Sequence, residues 1–256
     1  MVRERAVREQ LYWDDAYRPG GPHHAKYLWT KRIERISFIG ECFYRLTGEL
    51  RHKRILSLGG GVDRLGVSLA KGGNRIVSVD VSPVACAATV ELARQEGVLG
   101  TLTSVVAPGE EVELERGSFD AIIFKRALHH MDLPTVIERA HRLLIPGGLL
   151  LAEEPICLPG WLLRAHTMFP FHPEAVRTTD ERELTPRDLD LIRRTFSKMN
   201  VSYFDCVARE SVAYFLYRAR IDRLLRLLGK LDHVVMNRCV PITRYLSTYA
   251  IIRAVK

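Results

Sequence analysis

The segment ILSLGGGVDRLG, residues Ile55–Gly66, decides how the chain folds. Its β-type apolar run stops at three consecutive glycines, and Asp63 stands before the stretch that follows. A glycine-rich turn between a strand and a helix lets backbone N–H groups and the helix N-terminus approach a ligand that a Cβ would keep away. The segment therefore predicts a strand, a ligand-binding turn and a helix.

A second β-type run, RIVSVD, ends at Asp80, about twenty residues beyond the glycines. A carboxylate at that place accepts hydrogen bonds from both ribose hydroxyls of an adenosine. The dinucleotide fingerprint GxGxxG matches only if Gly61 and Gly66 are given the wrong spacing. The two runs thus predict adenosine binding and leave a dinucleotide as the weaker alternative.

From Arg54 onward, short β-branched runs alternate with helical stretches as far as GLLLAEEP. Continuous apolar strands separated by amphipathic helices are typical of a parallel sheet covered on both faces. We therefore expect an α/β, Rossmann-like fold with a seven-stranded, mostly parallel sheet. Residues 1–50 are predicted to form an N-terminal helical cap with a helix over about Tyr27–Leu50, and residues 51–256 the main domain.

The C-terminal part is expected to add two insertions, residues 156–200 and 209–247. A strand near Val201–Val207 and a closing strand, TYAIIRAV, predict an antiparallel hairpin with a helix inserted at about Val212–Leu231. One face of that helix is apolar and must be covered by the protein's own core, a membrane surface, an acyl chain or a dimer partner. Its members are Tyr217, Ile221, Leu224, Leu228 and Leu231.

Composition limits the class of protein. A chain of 256 residues with 47% hydrophobic residues can bury one substantial core. The five cysteines show no CxxC spacing, so neither a disulfide framework nor a zinc cluster is indicated. The first residues lack a secretory apolar region, and arginines interrupt the most apolar late segment, Val212–Leu231, which disfavours a transmembrane helix. A cytoplasmic protein is expected.

Positive charge is concentrated at the C-terminus. Residues Arg209–Lys256 carry ten Lys and Arg against three Asp and Glu, a surplus of 10 − 3 = +7 out of a net charge of +8. Such a surface suits an anionic or carrier-linked acceptor, a lipid headgroup or nucleic acid, although it is equally typical of a solvated helix face. No added RNA-binding motif is present, so nucleic acid is disfavoured.

A longer stretch reduces the number of candidate ligands: SFDAIIFKRALHHMDLPTVIERAHRLLIPGGLLLAEEP. It resembles the corresponding part of class I S-adenosylmethionine-dependent methyltransferases of the small-molecule, type 11-like group. The motifs that carry the resemblance are an FDxI strand, an LHH turn, a helix ending in RLLIPGG and the strand LLLAEEP. With ILSLGGGVDRLG and IVSVDVSP, the resemblance runs from about Arg54 to Pro155. It implies S-adenosylmethionine as the cofactor.

The resemblance also implies which residues bind that cofactor. Asp80 would accept from the ribose hydroxyls, and Lys125 would offer its backbone carbonyl to the amino group. Two positions depart from the family: Ser57 replaces an acid, and Pro108 stands where an acid commonly contacts the adenine amine, which leaves the backbone of Ala107–Gly109 as a substitute. Asp63, a third departure, is expected to cap the following helix. The full predicted set is Ser57, Gly59, Gly60, Gly61, Asp80, Val81, Pro108 and Lys125.

Methyl transfer to an alcohol or phenol benefits from a general base, because the acceptor's proton must leave. His129 and His130 follow the fourth strand, at the edge of the sheet where open α/β folds bind ligands. His130 is the preferred candidate, with packing as the alternative role of both histidines. Glu153 and Glu154 end the fifth strand and are a second candidate pair, with Glu153 as the catalytic candidate; one of the two is expected to face the pocket. No familiar metal-ligand spacing occurs, so no metal is predicted.

The acceptor pocket is expected to be apolar or suited to a ring-bearing molecule, because aromatic residues surround the sheet edge in sequence. The candidates are Tyr12, Trp13, Tyr17, Tyr27, Trp29, Trp161, the HTMFPFH stretch and Tyr214. The favoured function is methylation of a small molecule, at oxygen, with a natural product, lipid or sugar-containing acceptor. An RNA or protein methyltransferase and a degenerate partner subunit without catalysis are the alternatives. The oligomeric state is left open.

Overall fold

A seven-stranded sheet runs through the part of the chain that the computed structural model describes, namely residues 2–24, 27–28, 37–156, 182–206, 222–238 and 247–256. The strands are β1 (Arg54–Leu58), β2 (Arg75–Asp80), β3 (Leu102–Val106), β4 (Phe119–Lys125), β5 (Leu144–Pro155), β6 (Lys198–Cys206) and β7 (Ser247–Val255). Their spatial order is β3-β2-β1-β4-β5-β7-β6, in which the first five strands are parallel and β7 runs antiparallel to both of its neighbours. The predicted mostly parallel sheet is therefore confirmed.

Helices cover both faces of this sheet, because each strand sends alternate side chains to opposite sides. The helices are α1 (Val2–Tyr17), α2 (Phe38–Gly48), α3 (Arg64–Lys71), α4 (Pro83–Gln95), α5 (Leu133–Leu143), α6 (Pro186–Thr195) and α7 (Asp222–Arg238). In β4, Ile122 and Phe124 pack on the face that carries α5 and α6, whereas Ala121 and Ile123 pack on the face that carries α2 and α3.

Short polar side chains start the helices that follow the strands. Ser82 accepts a hydrogen bond from the Ala85 N–H at the start of α4, and Asp132 accepts one from the Thr135 N–H at the start of α5. Each is followed by a proline in the first turn, where a missing N–H costs nothing. These caps place the helix N-termini at the carboxyl edge of the sheet, where the glycine turn also lies.

Asp63 is the N-cap of α3, in agreement with its expected role. Its carboxylate is buried and accepts a hydrogen bond of 2.7 Å from the Gly66 N–H. A Cβ at Gly66 would collide with that carboxylate, and a Cβ at Gly60 would come within 2.9 Å of it. The aspartate and the two glycines therefore form one unit, because the carboxylate occupies the space that the missing side chains leave.

The C-terminal hairpin is present, but its helix differs from the prediction. The structure places α7 at Asp222–Arg238, seven residues past the predicted end at Leu231, while residues 207–221 lie outside the described ranges. Leu224 and Leu231 of the predicted apolar face are exposed, so the protein's own core does not cover them. The sheet instead contacts the side of α7 that carries His233 and Met236.

The described part of the N-terminal segment contains two named helices, α1 and α2. The helix predicted over about Tyr27–Leu50 is observed for Phe38–Gly48, and residues 29–36 lie outside the description. The division into a cap of residues 1–50 and a domain of residues 51–256 stays a prediction. Within the described ranges, no helix combines the length and the apolar character needed to cross a bilayer.

We expect Asp63→Ala to lower the free energy of unfolding by about 1–2 kcal/mol, because the first turn of α3 loses its acceptor. Asp63→Asn keeps an acceptor oxygen and should cost less. Urea denaturation followed by circular dichroism measures both. Glu138→Ala is the matched control, since its carboxylate makes only an exposed ion pair with Arg142 and should change stability by less than about 0.5 kcal/mol. Equal stabilities of Asp63→Ala and wild type would contradict the capping role.

Candidate functional site

The glycine turn after β1 is shaped by backbone conformation. Gly59 and Gly61 have φ values of 67° and 58°, in the left-handed region that residues with a Cβ rarely adopt. A Cβ at Gly59 would collide with the Ala127 side chain, and one at Gly61 would collide with the Tyr17 hydroxyl. The Gly59 N–H donates to the Val79 carbonyl at 2.8 Å, which ties the turn to the end of β2. The turn is thus a close meeting point of three separate chain segments.

Asp80, at the end of β2, organises this turn. Its two carboxylate oxygens accept hydrogen bonds from the Gly61 N–H at 2.7 Å and the Ser82 N–H at 2.9 Å. Burial raises the pKa of Asp80 to about 6, while these two backbone donors act in the opposite direction and the charge of Asp63 adds to the increase. Each carboxylate oxygen can accept more than one hydrogen bond, so both retain capacity for further donors.

The N-terminal helix α1 lies over the turn. Tyr17 covers Gly61, and the Asp14 carboxylate accepts a short hydrogen bond from the Ser82 hydroxyl. Near the start of α1, Arg5 forms an ion pair with Glu110, whose carboxylate also accepts from the Asp132 N–H at 2.8 Å. Helix α1 therefore covers the glycine turn and is tied to the sheet edge at both of its ends.

His129 and Glu154 form a buried pair beneath the turn after β4. The His129 Nδ1 lies 2.6 Å from Glu154 Oε2, and Glu154 Oε1 accepts from the backbone N–H groups of Ala127 and Leu128 at 3.0 and 2.8 Å. Both side chains are buried. These hydrogen bonds stabilise the turn after β4 and agree with a structural role for His129, the alternative to catalysis that the sequence left open.

His130 occupies a different environment from its neighbour. Its side chain is 12% exposed, and its Nδ1 lies 3.4 Å from the Glu9 carboxylate of α1. That carboxylate also accepts a hydrogen bond of 2.9 Å from the Trp13 indole N–H, and the Trp13 ring contacts the His130 ring edge to face. The His130 ring is thus oriented by two side chains of α1 at the mouth of the site.

Glu153 points to the opposite face of the sheet from Glu154, because adjacent strand residues alternate. Its Oε1 accepts a hydrogen bond of 2.8 Å from the Arg126 Nε, and its buried Oε2 has no hydrogen-bond partner among the described residues. Arg126 adopts a φ of 55° and stacks on Tyr249. Of the two glutamates, Glu154 lies beside the histidines and Glu153 anchors Arg126.

The remaining predicted cofactor residues lie around the same edge. Ser57 is buried inside β1, and Lys125, at the end of β4, extends over the Tyr44 ring. The Pro108 carbonyl accepts from two N–H groups of its own loop, and the Ala107 N–H donates to the Asp80 carbonyl at 3.0 Å. The Ala107 N–H already donates within the protein, so it is not available for the backbone contact to adenine that was expected from Ala107–Gly109. Val81 follows Asp80 directly and is partly buried.

Several residues of this site were not predicted. Glu9, Asp14 and Glu110 connect α1 to the sheet edge, and the Met131 side chain lies against both Gly59 and Gly109. The acidic positions of α1 recur near helical spacing beside Tyr12, Trp13 and Tyr17, and this was the signal available in the sequence. Trp29, Trp161, HTMFPFH and Tyr214 lie outside the described residues, within which no cluster of three metal-ligating side chains occurs.

The donor set of the turn suits an adenosyl group. A buried carboxylate with spare acceptor capacity matches two ribose hydroxyls. Residues 56–152, which contain this turn and the LHH turn, match the family model described as a methyltransferase domain.

Relatives of known name agree with that match. A ubiquinone biosynthesis O-methyltransferase from Xanthomonas oryzae pv. oryzae is 34% identical over 142 residues, which cover 54% of each chain. An uncharacterized methyltransferase from Mycobacterium tuberculosis is 32% identical over 98 residues, 38% of each chain. The chain thus spans about half the length, or less, of the curated relatives it matches.

Solved structures share the architecture. Geranyl diphosphate C-methyltransferase from Streptomyces coelicolor A3(2), in complex with Mg²⁺, geranyl diphosphate and S-adenosyl-L-homocysteine, aligns over 98% of both chains with a TM-score of 0.64 and 14% identity. At that identity the likeness shows the fold alone. Together with the family match, these observations show a Rossmann-like methyltransferase fold, in which residues 56–152 match a methyltransferase domain.

Proposed function

We propose that this protein methylates a small molecule at oxygen, with a natural product, a lipid or a sugar-containing compound as the acceptor. The observation that carries the proposal is the position of His130, an oriented and partly exposed imidazole beside the predicted cofactor turn. An alcohol or phenol needs a base near its hydroxyl as the new bond forms, and an imidazole supplies one near neutral pH.

In this proposal the cofactor lies on Gly59, Gly60 and Gly61, and Asp80 accepts hydrogen bonds from its ribose. S-adenosylmethionine supplies an electrophilic methyl group on a positively charged sulfur. The chain's own contribution is positional: the turn and α1 hold both reactants in line and exclude water from between them. Ser57, Val81, Pro108 and the Lys125 carbonyl complete the proposed cofactor set.

His130 is proposed to take the proton from the acceptor hydroxyl. Its Nδ1 is directed at Glu9, 3.4 Å away, and Nε2 is the nitrogen proposed to take the proton. The Glu9 carboxylate stabilises the imidazolium that results, since opposite charges attract strongly in a site shielded from water. His129 is proposed to act structurally, because its own Nδ1 is paired with the buried Glu154.

Oxygen is favoured over other acceptor atoms by this base rather than by the fold. The ubiquinone-type relative is named an O-methyltransferase, whereas the geranyl diphosphate enzyme is a C-methyltransferase. One architecture therefore carries different acceptor chemistry, and only the local groups distinguish them. The aromatic side chains Tyr12, Trp13 and Tyr17 on α1 support an apolar or ring-bearing acceptor.

We expect the affinity for S-adenosylmethionine to fall as the pH is lowered through about 6. The pKa of Asp80 is raised to about 6, mainly by burial, so its carboxylate is protonated below that pH and loses acceptor capacity towards the ribose. The dissociation constant should rise by up to about tenfold for each pH unit below 6. Isothermal titration calorimetry between about pH 7.5 and pH 5 measures it.

Asp80→Ala is the variant that tests the assignment. It should bind the cofactor at least about tenfold more weakly at neutral pH and show little further change on acidification. A flat affinity profile for the wild type would contradict the ribose contact. Absence of binding at every pH to both S-adenosylmethionine and its demethylated product would favour the degenerate partner subunit over an enzyme.

We expect His130→Ala to lower kcat by about 10²-fold or more while the cofactor dissociation constant changes by less than about twofold, because a general base contributes to turnover and not to cofactor binding. Transfer of a labelled methyl group from S-adenosylmethionine to a panel of phenols, isoprenoid alcohols and glycosides measures turnover. Mass spectrometry of the product identifies the methylated atom.

His141→Ala is the matched control, since His141 packs against Phe196, the residue after α6, away from the glycine turn, and should leave turnover unchanged. Unaltered kcat in His130→Ala would remove the imidazole base from the mechanism. Methyl transfer to RNA or to a protein, with none to the small molecules, would support the alternative substrate classes instead.

A further inference from the structure

Helix α7 is attached to the sheet by one side only. The His233 ring stacks on Phe204 of β6 at 4.4 Å, Met236 is buried, and the Asn237 amide donates to the Tyr203 carbonyl at 3.3 Å. These residues recur three to four positions apart and therefore share one face of the helix. That face satisfies the packing requirement of the hairpin formed by β6 and β7.

The opposite face of α7 is also apolar, and it is exposed. Five of the twelve large hydrophobic side chains that are exposed in the described part of the chain belong to this helix. Successive members are one, three or four residues apart, so they form a continuous stripe along the helix. We call them the apolar stripe: Leu224 (38% exposed), Leu227 (53%), Leu231 (55%), Val234 (48%) and Val235 (59%).

A row of cations runs beside the apolar stripe. Arg223, Arg226 and Lys230 are exposed, stand at helical spacing along one flank, and line an open depression together with Leu227. None of the three forms an ion pair with another residue in the described ranges; the Lys230 ammonium lies 5.9 Å from the Phe38 ring centre. Long basic side chains can extend along an apolar surface and place their charges at its polar border.

This combination selects among the surfaces that could cover the stripe. A second copy of the chain, packed stripe against stripe, would bring the two cation rows to one interface, where like charges repel at low dielectric. An anionic lipid surface complements both features, since acyl chains accept the apolar side chains and lipid phosphates accept the cations. The charge pattern thus favours the membrane surface.

We propose that α7 docks the protein on anionic membranes. The helix lies in the plane of the interface, with the apolar stripe among the upper acyl chains and Arg223, Arg226 and Lys230 at the phosphates. This function is separate from methyl transfer, because none of the residues involved belongs to the glycine turn or contacts His130. The docking proposal therefore does not depend on which acceptor is methylated.

Co-sedimentation of the full chain with vesicles tests the proposal. Neutral phosphatidylcholine vesicles are compared with vesicles that contain about one third phosphatidylglycerol. We expect at least about tenfold stronger partitioning to the anionic vesicles, which weakens at high salt because exposed charges are screened. Equal partitioning to both vesicle types, or none to the anionic ones, would overturn the proposal.

Two double variants separate the contributions of stripe and cations. Leu227→Glu/Leu231→Glu should lower partitioning at least about tenfold, because two apolar side chains that would be buried among the acyl chains are replaced by carboxylates. Arg226→Glu/Lys230→Glu should lower it to a similar extent and remove the salt dependence. Both should keep the wild-type affinity for S-adenosylmethionine, which shows that the proteins are folded.

Matched controls introduce the same charges elsewhere on exposed surface. Val90→Glu/Leu99→Glu and Arg187→Glu/Arg194→Glu alter exposed residues outside α7 and should partition as the wild type does. Equal loss in these controls would mean that overall charge, not α7, drives the binding, and would overturn the proposal. So would a concentration-dependent dimer in analytical ultracentrifugation that Leu227→Glu/Leu231→Glu abolishes, because it would assign the stripe to a second copy.

Discussion

The buried carboxylate of Asp80 is the interaction on which the geometry of the site depends. By accepting from the N–H groups of Gly61 and Ser82, it joins the turn after β1 to the start of α4. Ser82 in turn caps α4 and donates to Asp14 of α1, and Thr89 of α4 donates to the Gly61 carbonyl. Four chain segments therefore converge on one charge. Its removal from water is costly, and the two backbone donors offset part of that cost.

Strand and turn geometry gives neighbouring residues of the same type different partners. Glu153 and Glu154 are adjacent in sequence, but the alternation of β5 sends one to Arg126 and the other to His129. The two adjacent histidines also have different partners. His129 is buried beside Glu154, whereas the partly exposed His130 faces Glu9 of α1. Adjacent identical residues thus acquire different chemistry because their partners lie on different elements.

The sequence predicted the features that depend on local pattern. The mostly parallel sheet, the glycine turn, the Asp63 cap and the antiparallel hairpin follow from periodicity, glycine placement and the family resemblance. The face of α7 could not be chosen, because a helix that is apolar on two sides gives no single periodic signal. The role of α1 was equally hidden, since its contacts join residues such as Arg5 and Glu110 that are 105 positions apart.

The contacts of α1 connect the cofactor turn with the proposed base. Tyr17 covers Gly61, and eight residues earlier, on the same helix, Glu9 faces His130. In the proposed mechanism, Glu9 orients the imidazole of His130 while the same helix covers the glycine turn. Covering of the turn and orientation of the proposed proton acceptor therefore depend on the same element.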